Sequence, residues 1–254
     1  MSQIKKQYSD LVRLFKIGWE FIRGFHFFGN LHDVVSIFGS ARLPQNHPAC
    51  KLAEELAYRL AYQGFTILTG GGPSVMQAAN RGASLAKKDG AKTRSLACNI
   101  YLPHEQKANP YVEAVMTMKY FFTRKYMLIH YSQAFVFFAG GVGTLDEFFE
   151  VFTLIQTGKI PKRPIYLVGT SFWNGLVTWL QQQPLKQGTI DEKTLSLFYI
   201  TDDLNAVIAH LKRAKDKIHQ EGESYPVNPE PKEPDTTHKP KQHINRKPSR
   251  HKRR

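Results

Sequence analysis

Short apolar segments that lead through glycine-rich turns into helices place the strongest limit on how this chain can fold. FTILT, residues 65–69, is followed by GGGPS, and AFVFF, residues 134–138, is followed by AGGVGT. Each turn then opens a segment with helical periodicity. Because short buried strands that alternate with helices form parallel sheets covered on both faces, the sequence predicts an α/β fold with a doubly wound, mostly parallel sheet.

The other segments continue this alternation. Further strands are predicted at residues 34–38, 95–100 and 164–168. Further helices are predicted at residues 49–64, 120–132, 145–158, 172–183 and 203–217. Asp202 precedes the last of these helices and is expected to cap it, because an Asp side chain accepts hydrogen bonds from the first free N–H groups of a helix.

The chain divides into three parts by composition. Residues 1–30 contain an amphipathic helix whose apolar stripe is expected to pack against the domain or a second subunit rather than a membrane. Residues 31–218 hold the alternating strands and helices. Residues 219–254 are rich in Pro, Glu, Lys and His, and this composition predicts a disordered basic tail. The predicted stripe consists of Leu11, Leu14, Phe15, Ile22 and Phe25.

Charge and cysteine content limit the function classes. The formal net charge is +14, but the stretch after Thr236 is rich in Lys and Arg and has no Asp or Glu. A solvated extension is the simpler interpretation of this tail, and contact with nucleic acid is the functional one. Two cysteines, Cys50 and Cys98, are too few for a disulfide framework and favour a cytoplasmic protein. Charges such as Arg13 and Lys16 interrupt the N-terminal apolar residues, so neither a signal peptide nor a membrane span is predicted.

Three loops are expected to gather at the carboxyl end of the sheet, where doubly wound folds bind ligands. They are GSAR with Gly39 and Ser40, TGGGPS with Gly71 and Gly72, and AGGVGT. The last two open helices, whose free N–H groups attract phosphate. The pattern therefore predicts a ligand that carries phosphate.

Two common phosphate-binding motifs are incomplete in this sequence, and this limits which phosphate compound is expected to bind. Neither glycine turn has the Lys-Ser or Lys-Thr of a P-loop, which disfavours ATP hydrolysis. Asp146 stands where a dinucleotide fingerprint has its third glycine, which makes NAD a minor option. No cluster with metal-ligand spacing and no nucleophile elbow is present, so no metal and no cofactor are expected.

Two carboxylates at the start of one helix, Asp146 and Glu147, need a separate explanation. Two interpretations are open: the pair complements the helix dipole, or one carboxylate acts on a glycosidic bond by stabilising an oxocarbenium ion or activating water. The upstream segment FFTRKYM adds Arg124 and Lys125. These cations either form a basic pair on the surface or neutralise the charge of a phosphate or a departing base.

The segments GGGPSVMQAANRGA, FFTRKYM and AGGVGTLDE together resemble the Lonely Guy (LOG) family over residues 34–217. The family signature is P-G-G-x-G-T-x-x-E with an upstream Arg-Lys pair. The resemblance implies a Rossmann-like fold, a homodimer and a phosphoribohydrolase. Such an enzyme splits nucleoside 5′-monophosphates, cytokinin nucleotides or AMP, into free base and ribose 5-phosphate.

By position, the resemblance assigns the catalytic pair to Arg124 and Glu147. It assigns nucleotide contacts to Lys125, Gly140, Gly141, Gly143, Thr144 and Thr153. Ala139 replaces the signature proline, Ser74 and Ala97 replace glycines, and Gln77 replaces a common Glu. Gln106, with Glu105 and Glu113 nearby, stands where plant-type members bind substrate with a Glu. The sequence thus predicts cleavage of a purine nucleoside 5′-monophosphate, and a non-catalytic nucleotide-binding protein is the alternative.

A homodimer is also predicted from one helix. The segment LDEFFEVFTLIQTG is apolar around more of its circumference than a single sheet face can cover. Such a helix is buried either between two subunits or inside the core of a monomer. The first arrangement agrees with the homodimer that the LOG resemblance implies.

Overall fold

A parallel sheet forms the centre of the molecule. The computed structural model describes residues 2–102 and 107–221. Within these ranges the strands are β1 Val34–Phe38, β2 Thr66–Thr69, β3 Ser95–Ile100, β4 Ala114–Met118, β5 Ala134–Phe137, β6 Ile165–Val168 and β7 Phe198–Thr201. They lie in the order β4-β3-β2-β1-β5-β6-β7, and every neighbouring pair is parallel.

Helices cover both faces of this sheet. In the described ranges they are α1 Ser2–Phe28, α2 Pro48–Tyr62, α3 Val75–Lys88, α4 Phe121–His130, α5 Val142–Gln156, α6 Thr170–Leu180, α7 Glu192–Leu195 and α8 Leu204–Glu221. A π-helical turn, Gln181–Leu185, continues α6. One apolar core joins α2, α3 and α8 to the sheet, and a second joins α4, α5, α6 and the end of α1 to the opposite face. The predicted doubly wound, Rossmann-like fold is confirmed.

The direction of chain progression across the sheet reverses between β1 and β5. From β1 the chain moves outward through β2 and β3 to β4, and then returns to place β5 on the other side of β1. Adjacent loops diverge at such a reversal and leave a crevice at the carboxyl ends of the strands. The fold therefore puts the loops after β1 and β5 at the edge of one crevice.

Two predictions about helix ends need correction. The helix predicted at residues 145–158 begins earlier, at Val142, so the glycine turn itself enters the helix. Asp202 does not cap the last helix. Its carboxylate accepts hydrogen bonds from the backbone N–H groups of Gly169 and Thr170 at the start of α6, and Asp203 accepts from Asn205 and Ala206 at the start of α8 instead.

The predicted N-terminal helix is present, and most of its apolar stripe lies outward. Glu20, Gly24 and Phe28 on its inner side are buried, whereas Leu11, Leu14, Phe15, Ile22 and Phe25 are all exposed. The helix packs against the domain through its inner side, and Phe25 at the edge of the stripe contacts Tyr126 and His130 of α4. The described part of the chain leaves the rest of the stripe uncovered, so its packing against a second subunit stays a prediction. No helix in the described ranges is long and apolar enough to cross a membrane.

The predicted basic tail falls almost wholly beyond the structure. Residues 219–221 belong to the end of α8, and residues 222–254 lie outside the described residues. The predicted boundary at residue 218 therefore falls inside a helix.

Candidate active site

The candidate site is a cleft of about 440 Å³ at the carboxyl ends of the central strands. β1 leads into Gly39 and Ser40, and β2 leads into the turn that contains Gly70 and Gly72. The turn after β5 supplies residues 141–144. Three loops that are far apart in sequence thus meet at one cleft, as the strand-turn-helix pattern predicts.

Arg124 and Glu147 form an ion pair inside this cleft. Arg124 Nη1 lies 3.3 Å from Glu147 Oε1, and the two side chains are only 11% and 8% exposed. Arg124 belongs to the first turn of α4, and its Nε donates a hydrogen bond to the Cys98 carbonyl at 2.9 Å. The backbone near the end of β3 therefore holds the guanidinium in place, and the guanidinium faces the Glu147 carboxylate. The cleft presents one cation and one carboxylate at the same point.

The position of Arg124 depends on a glycine. A Cβ atom on Gly70 would collide with the Arg124 guanidinium and would also press on Met76. Burial raises the pKa of the neighbouring Cys98 thiol to about 12, so this cysteine remains a neutral packing group beneath Arg124. Arg124 and Glu147 are therefore the paired ionisable side chains that face the cleft.

Burial also controls the charge of Glu147. It raises the pKa of this carboxyl above its ordinary value, while the nearby charges of Arg124 and Lys125 partly oppose the shift. A carboxylate that is hard to ionise is held next to a fixed cation. Such a perturbed pair in a cleft is typical of a functional site.

The adjacent carboxylate of Asp146 points elsewhere. Lys125 Nζ lies 2.6 Å from Asp146 Oδ2 and 3.1 Å from Glu150 Oε2. Burial disfavours the charged lysine, but hydrogen bonds to these two carboxylates hold the pKa of Lys125 above its ordinary value. Of the two successive acids, Glu147 faces the cleft and Asp146 belongs to an ion-pair cluster beside it.

The glycine turn after β5 contains two kinds of glycine. A Cβ on Gly140 would collide with the Thr144 side chain, so the fold itself requires glycine there. A Cβ on Gly141 would meet nothing within 4 Å, and one on Gly143 would meet only Glu147 Oε2, at 3.9 Å. Neither of these two has a positive φ. Both line the cleft at the start of α5, where bare backbone lets a ligand approach the helix N-terminus closely.

A buried polar network supports the turn after β2. Thr69 Oγ1 accepts a hydrogen bond from the Gly71 N–H at 2.9 Å and donates to Asn80 Oδ1 at 2.6 Å. Asn109 Nδ2 donates to Asn80 Oδ1 and to the Gly72 carbonyl. The glycine turn is therefore held by α3 and by the segment before β4.

Ser74, which replaces a family glycine, is strained. It has φ 61° and ψ −123° at the start of α3, a backbone conformation that only glycine adopts readily. The family pattern therefore has glycine at this position because glycine adopts this backbone conformation without strain. This chain keeps the conformation although it has serine there.

The structure brings most of the predicted site residues together and leaves four outside the lining. Gly71 lies in the turn after β2, Gly140 borders a neighbouring cavity, Lys125 lies in its ion-pair cluster, and Thr153 is exposed farther along α5. The predicted residues that line the cleft are Gly39, Ser40, Gly72, Arg124, Gly141, Gly143, Thr144 and Glu147.

The cleft also contains residues that the sequence reasoning did not single out. Arg42 adds a second cation, and Met76, Asn99 and Phe121 add mostly apolar surface opposite the glycine turn. Arg42 stands in the GSAR motif and could have been found there. Gln106 and Glu105 lie outside the described residues, and Glu113 pairs with Lys87 and Arg94 away from the cleft.

The residues present do not fit a pyridoxal phosphate site. That cofactor needs a lysine for its Schiff base, and among the described residues no lysine lines the cleft. Lys125, the lysine next to Arg124 in the sequence, forms ion pairs with two carboxylates. In the same described ranges, no three His, Cys, Asp or Glu side chains converge as a metal site would require.

Comparison with known proteins identifies the family. A family model described as "possible lysine decarboxylase" matches residues 76–211, more than half of the chain. This chain belongs to that family, the LOG family. The predicted resemblance is confirmed, and the matched range contains Arg124, Glu147, all of α5 and all of α3 except its first residue.

Individual relatives of this LOG family member are distant. Cytokinin riboside 5′-monophosphate phosphoribohydrolases of Mycobacterium marinum and Mycobacterium tuberculosis are each 26% identical, over 165 and 164 residues. Each alignment covers 65% of this chain and 86% of the relative. The molybdenum cofactor carrier protein of Chlamydomonas reinhardtii superimposes with a TM-score of 0.51 at 19% identity, over 72% of this chain and 98% of that chain. This last likeness shows the fold alone.

Proposed function

We propose that this protein is a phosphoribohydrolase that cleaves the N-glycosidic bond of a purine nucleoside 5′-monophosphate. The products are the free base and ribose 5-phosphate. The observation that carries the proposal is the buried Arg124–Glu147 ion pair, which faces a cleft beside a glycine turn at a helix N-terminus. The names of the two mycobacterial relatives support the same reaction class.

The glycine turn suits the 5′-phosphate of such a substrate. α5 starts at Val142, and its N-cap residue Gly141 has no side chain that could satisfy the first N–H groups. These donors and the helix dipole favour a dianion at this end. A phosphate there would place the attached ribose beside Glu147, one helical turn farther along α5.

Glu147 and Arg124 would then act on the bond at C1′ of the ribose. As the bond from C1′ to the base nitrogen breaks, its electron pair leaves with the base and positive charge develops on the sugar. The Glu147 carboxylate stabilises this charge or accepts a proton from the attacking water, whose oxygen bonds to C1′. Arg124 supplies positive charge for the phosphate or the departing base. The released base takes up one proton, which completes the hydrolysis.

The opposite wall of the cleft suits a purine. Met76, Ile100 and Phe121 line it, and Asn99 offers an amide. Flat apolar surface with one polar group is what a nucleobase requires, and it does not choose between plain and N6-modified adenine. We also propose, from the family resemblance and the cysteine content, that the enzyme is a cytoplasmic homodimer.

Product analysis with two matched variants tests the proposal. Purified protein is incubated with AMP and with isopentenyl-AMP, and the free base is resolved by chromatography. Glu147→Gln should lower kcat by about 10²- to 10⁴-fold, because the cleft loses its carboxylate. Asp146→Asn makes the same change at the next residue but outside the cleft, and it should stay within a few-fold of wild type.

Two results would contradict the proposal. If the wild-type protein releases base from neither nucleotide but still binds AMP, the non-catalytic nucleotide-binding alternative is favoured. If Glu147→Gln retains most of the activity, the reaction stands but its assignment to Glu147 is wrong.

A further inference from the structure

A second cavity lies beside the candidate active site. It has a volume of about 590 Å³ and opens between the start of α2 and the start of α6. Leu43, Leu52 and Phe172 form apolar walls, and the glycine turn at Gly140 and Gly141 forms one border. This volume falls in the range of sites that hold a small organic molecule.

The two cavities meet at the phosphate end of the active site. Ser40 and Gly141 line both of them. Ser40 is fixed at this boundary, because its N–H donates to the Ala139 carbonyl and its own carbonyl accepts from the Val75 N–H. Arg124 and Glu147, which would act at the glycosidic bond, line only the first cavity. A group that enters the second cavity would therefore be attached to the nucleotide at its phosphate and not at its base.

The lining of the second cavity defines the kind of group that fits. Among the described residues, no Lys or Arg lines it. Its one carboxylate, Asp202, already accepts hydrogen bonds from Gly169 and Thr170. His47 Nδ1 accepts from the Ala49 N–H at 3.1 Å, so a neutral His47 carries its proton on Nε2 and can donate it. Apolar walls with a few neutral hydrogen-bonding side chains, Ser40, His47 and Ser171, suit an uncharged ring system.

A cation at the boundary can balance an additional phosphate. Arg42 lines the first cavity next to Ser40. Within the described ranges no carboxylate pairs with its guanidinium, unlike Arg124. The glycine that a dinucleotide fingerprint would have at Asp146 serves helix packing, and its absence does not close the crevice.

From this arrangement we propose that the protein binds nucleotides whose 5′-phosphate is linked, through a diphosphate, to a second uncharged ring-bearing group. The phosphates lie at the glycine turn and Arg42, one nucleoside lies in the catalytic cleft, and the second group lies in the cavity between α2 and α6. This inference rests on the proposed function in one respect, the placement of a nucleotide phosphate at the start of α5.

Calorimetric titration with a graded series of ligands tests the proposal. AMP, ADP and P1,P2-di(adenosine-5′) diphosphate are titrated into the Glu147→Gln protein, which prevents turnover. The dinucleotide should bind at least about ten-fold more tightly than ADP, since both carry two phosphates and only the dinucleotide has a second nucleoside. Ser171→Trp, introduced at an exposed position of the second cavity, should abolish this difference and leave AMP affinity unchanged.

Several outcomes would overturn the proposal. A dinucleotide that binds no more tightly than ADP would do so, and so would a preference that persists both in Ser171→Trp and in Phe172→Ala. If Ser171→Trp instead weakens isopentenyl-AMP relative to AMP, the cavity holds a substituent of the base. Thermal melting of each variant shows whether it is folded. Release of base from AMP without a dinucleotide preference would refute this inference alone, and a dinucleotide preference without base release would refute only the proposed reaction.

Discussion

At the scale of single residues, two glycines of AGGVGT serve different purposes, one in the fold and one in ligand binding. Gly140 is required by the close approach of Thr144, whereas the space beside Gly143 is nearly free. We therefore expect Gly140→Ala to lower thermal stability, because the new methyl group forces Thr144 to move. Gly143→Ala should leave the melting temperature within a few degrees and raise KM for AMP at least ten-fold. Equal effects of the two variants on KM and on melting would contradict a ligand role for Gly143.

The raised pKa of Glu147 predicts a pH dependence. If the carboxylate is the active form, kcat rises with pH, and the half-maximal point lies above the ordinary pKa of glutamate, about 4.3. The charge of Asp146 raises the pKa of Glu147 and the charge of Lys125 lowers it. Asp146→Asn should therefore move the rising limb of the profile to lower pH, and Lys125→Met should move it to higher pH. Measured kcat profiles that shift in the same direction for both variants would refute this assignment.

The inward side of Glu147 could have been read from residue spacing. Glu147 shares a helix face with Val151, four residues on, and Asp146 shares a face with Glu150. Val151 is fully buried, and Glu150 joins the ion-pair cluster of Lys125. The sequence thus contained the information that Glu147 faces the interior. The contact of Arg124 with Gly70 joins two segments distant in sequence, and no local pattern could predict it.

At the scale of elements, the interior of the sheet was predictable and its edges were not. All five predicted strands exist, and each is a nearly continuous buried run. The two unpredicted strands, β4 and β7, lie at the two edges of the sheet. Both are partly exposed, because an edge strand has a neighbour on one side only. Edge strands of this kind depend on pairing with a neighbour, which the sequence does not display.

The contact between α1 and α4 connects the N-terminal helix to the segment that carries Arg124. Glu20 is buried, and its carboxylate accepts hydrogen bonds from the Lys119 N–H at 2.7 Å and from Thr123 Oγ1 at 2.8 Å. The side chain of Tyr120, the N-cap residue of α4, makes no capping hydrogen bond. Glu20 therefore places a carboxylate at the start of α4. Its partner Thr123 directly precedes Arg124 in the sequence.

Removal of Glu20 should affect both stability and catalysis. Glu20→Ala removes two hydrogen bonds made by a buried carboxylate, which costs about 1–3 kcal/mol, so the melting temperature should fall by several degrees. Because the start of α4 also carries Arg124, kcat should fall while the more conservative Glu20→Gln recovers part of it. Asp10→Ala on the exposed part of α1 is the control and should change neither quantity. Unchanged melting and kcat in Glu20→Ala would show that α1 does not support α4.

At the scale of the whole molecule, the apolar residues of α5 are only partly covered within one chain. Phe148, Val151, Phe152 and Ile155 share one helix face and are buried, whereas Phe149 and Leu154 are half-buried and Val142 is exposed. Phe148 packs against Phe137, Trp173 and Phe198. Burial inside the core of one chain, the second explanation weighed for this helix, accounts for its inner face. The half-buried residues outside that face leave the homodimer a prediction.

The exposed apolar stripe of α1 gives this prediction a different surface. Phe15 is 77% exposed and Ile22 58% exposed, and the ring of Phe25 continues the surface onto Tyr126 of α4. Large exposed apolar patches of this kind mark interaction sites. Phe21 of α1 also contacts Tyr126, which lies on the same helix as Arg124. A second copy of the chain that covers α1 would bury this stripe and restrain α4.

Light scattering on paired surface variants decides whether α1 forms the dimer interface. The wild-type chain of 29.1 kDa should scatter as a species of twice that mass. Phe15→Asp combined with Ile22→Asp should give a monomer with an unchanged far-ultraviolet spectrum, because two charges would be buried without partners at the interface. Tyr62→Asp places a charge on an exposed aromatic residue of α2, on the other face of the sheet, and should remain dimeric. A wild-type protein that is monomeric and fully active would refute the dimer, and a dimer that survives both α1 substitutions would place its interface elsewhere.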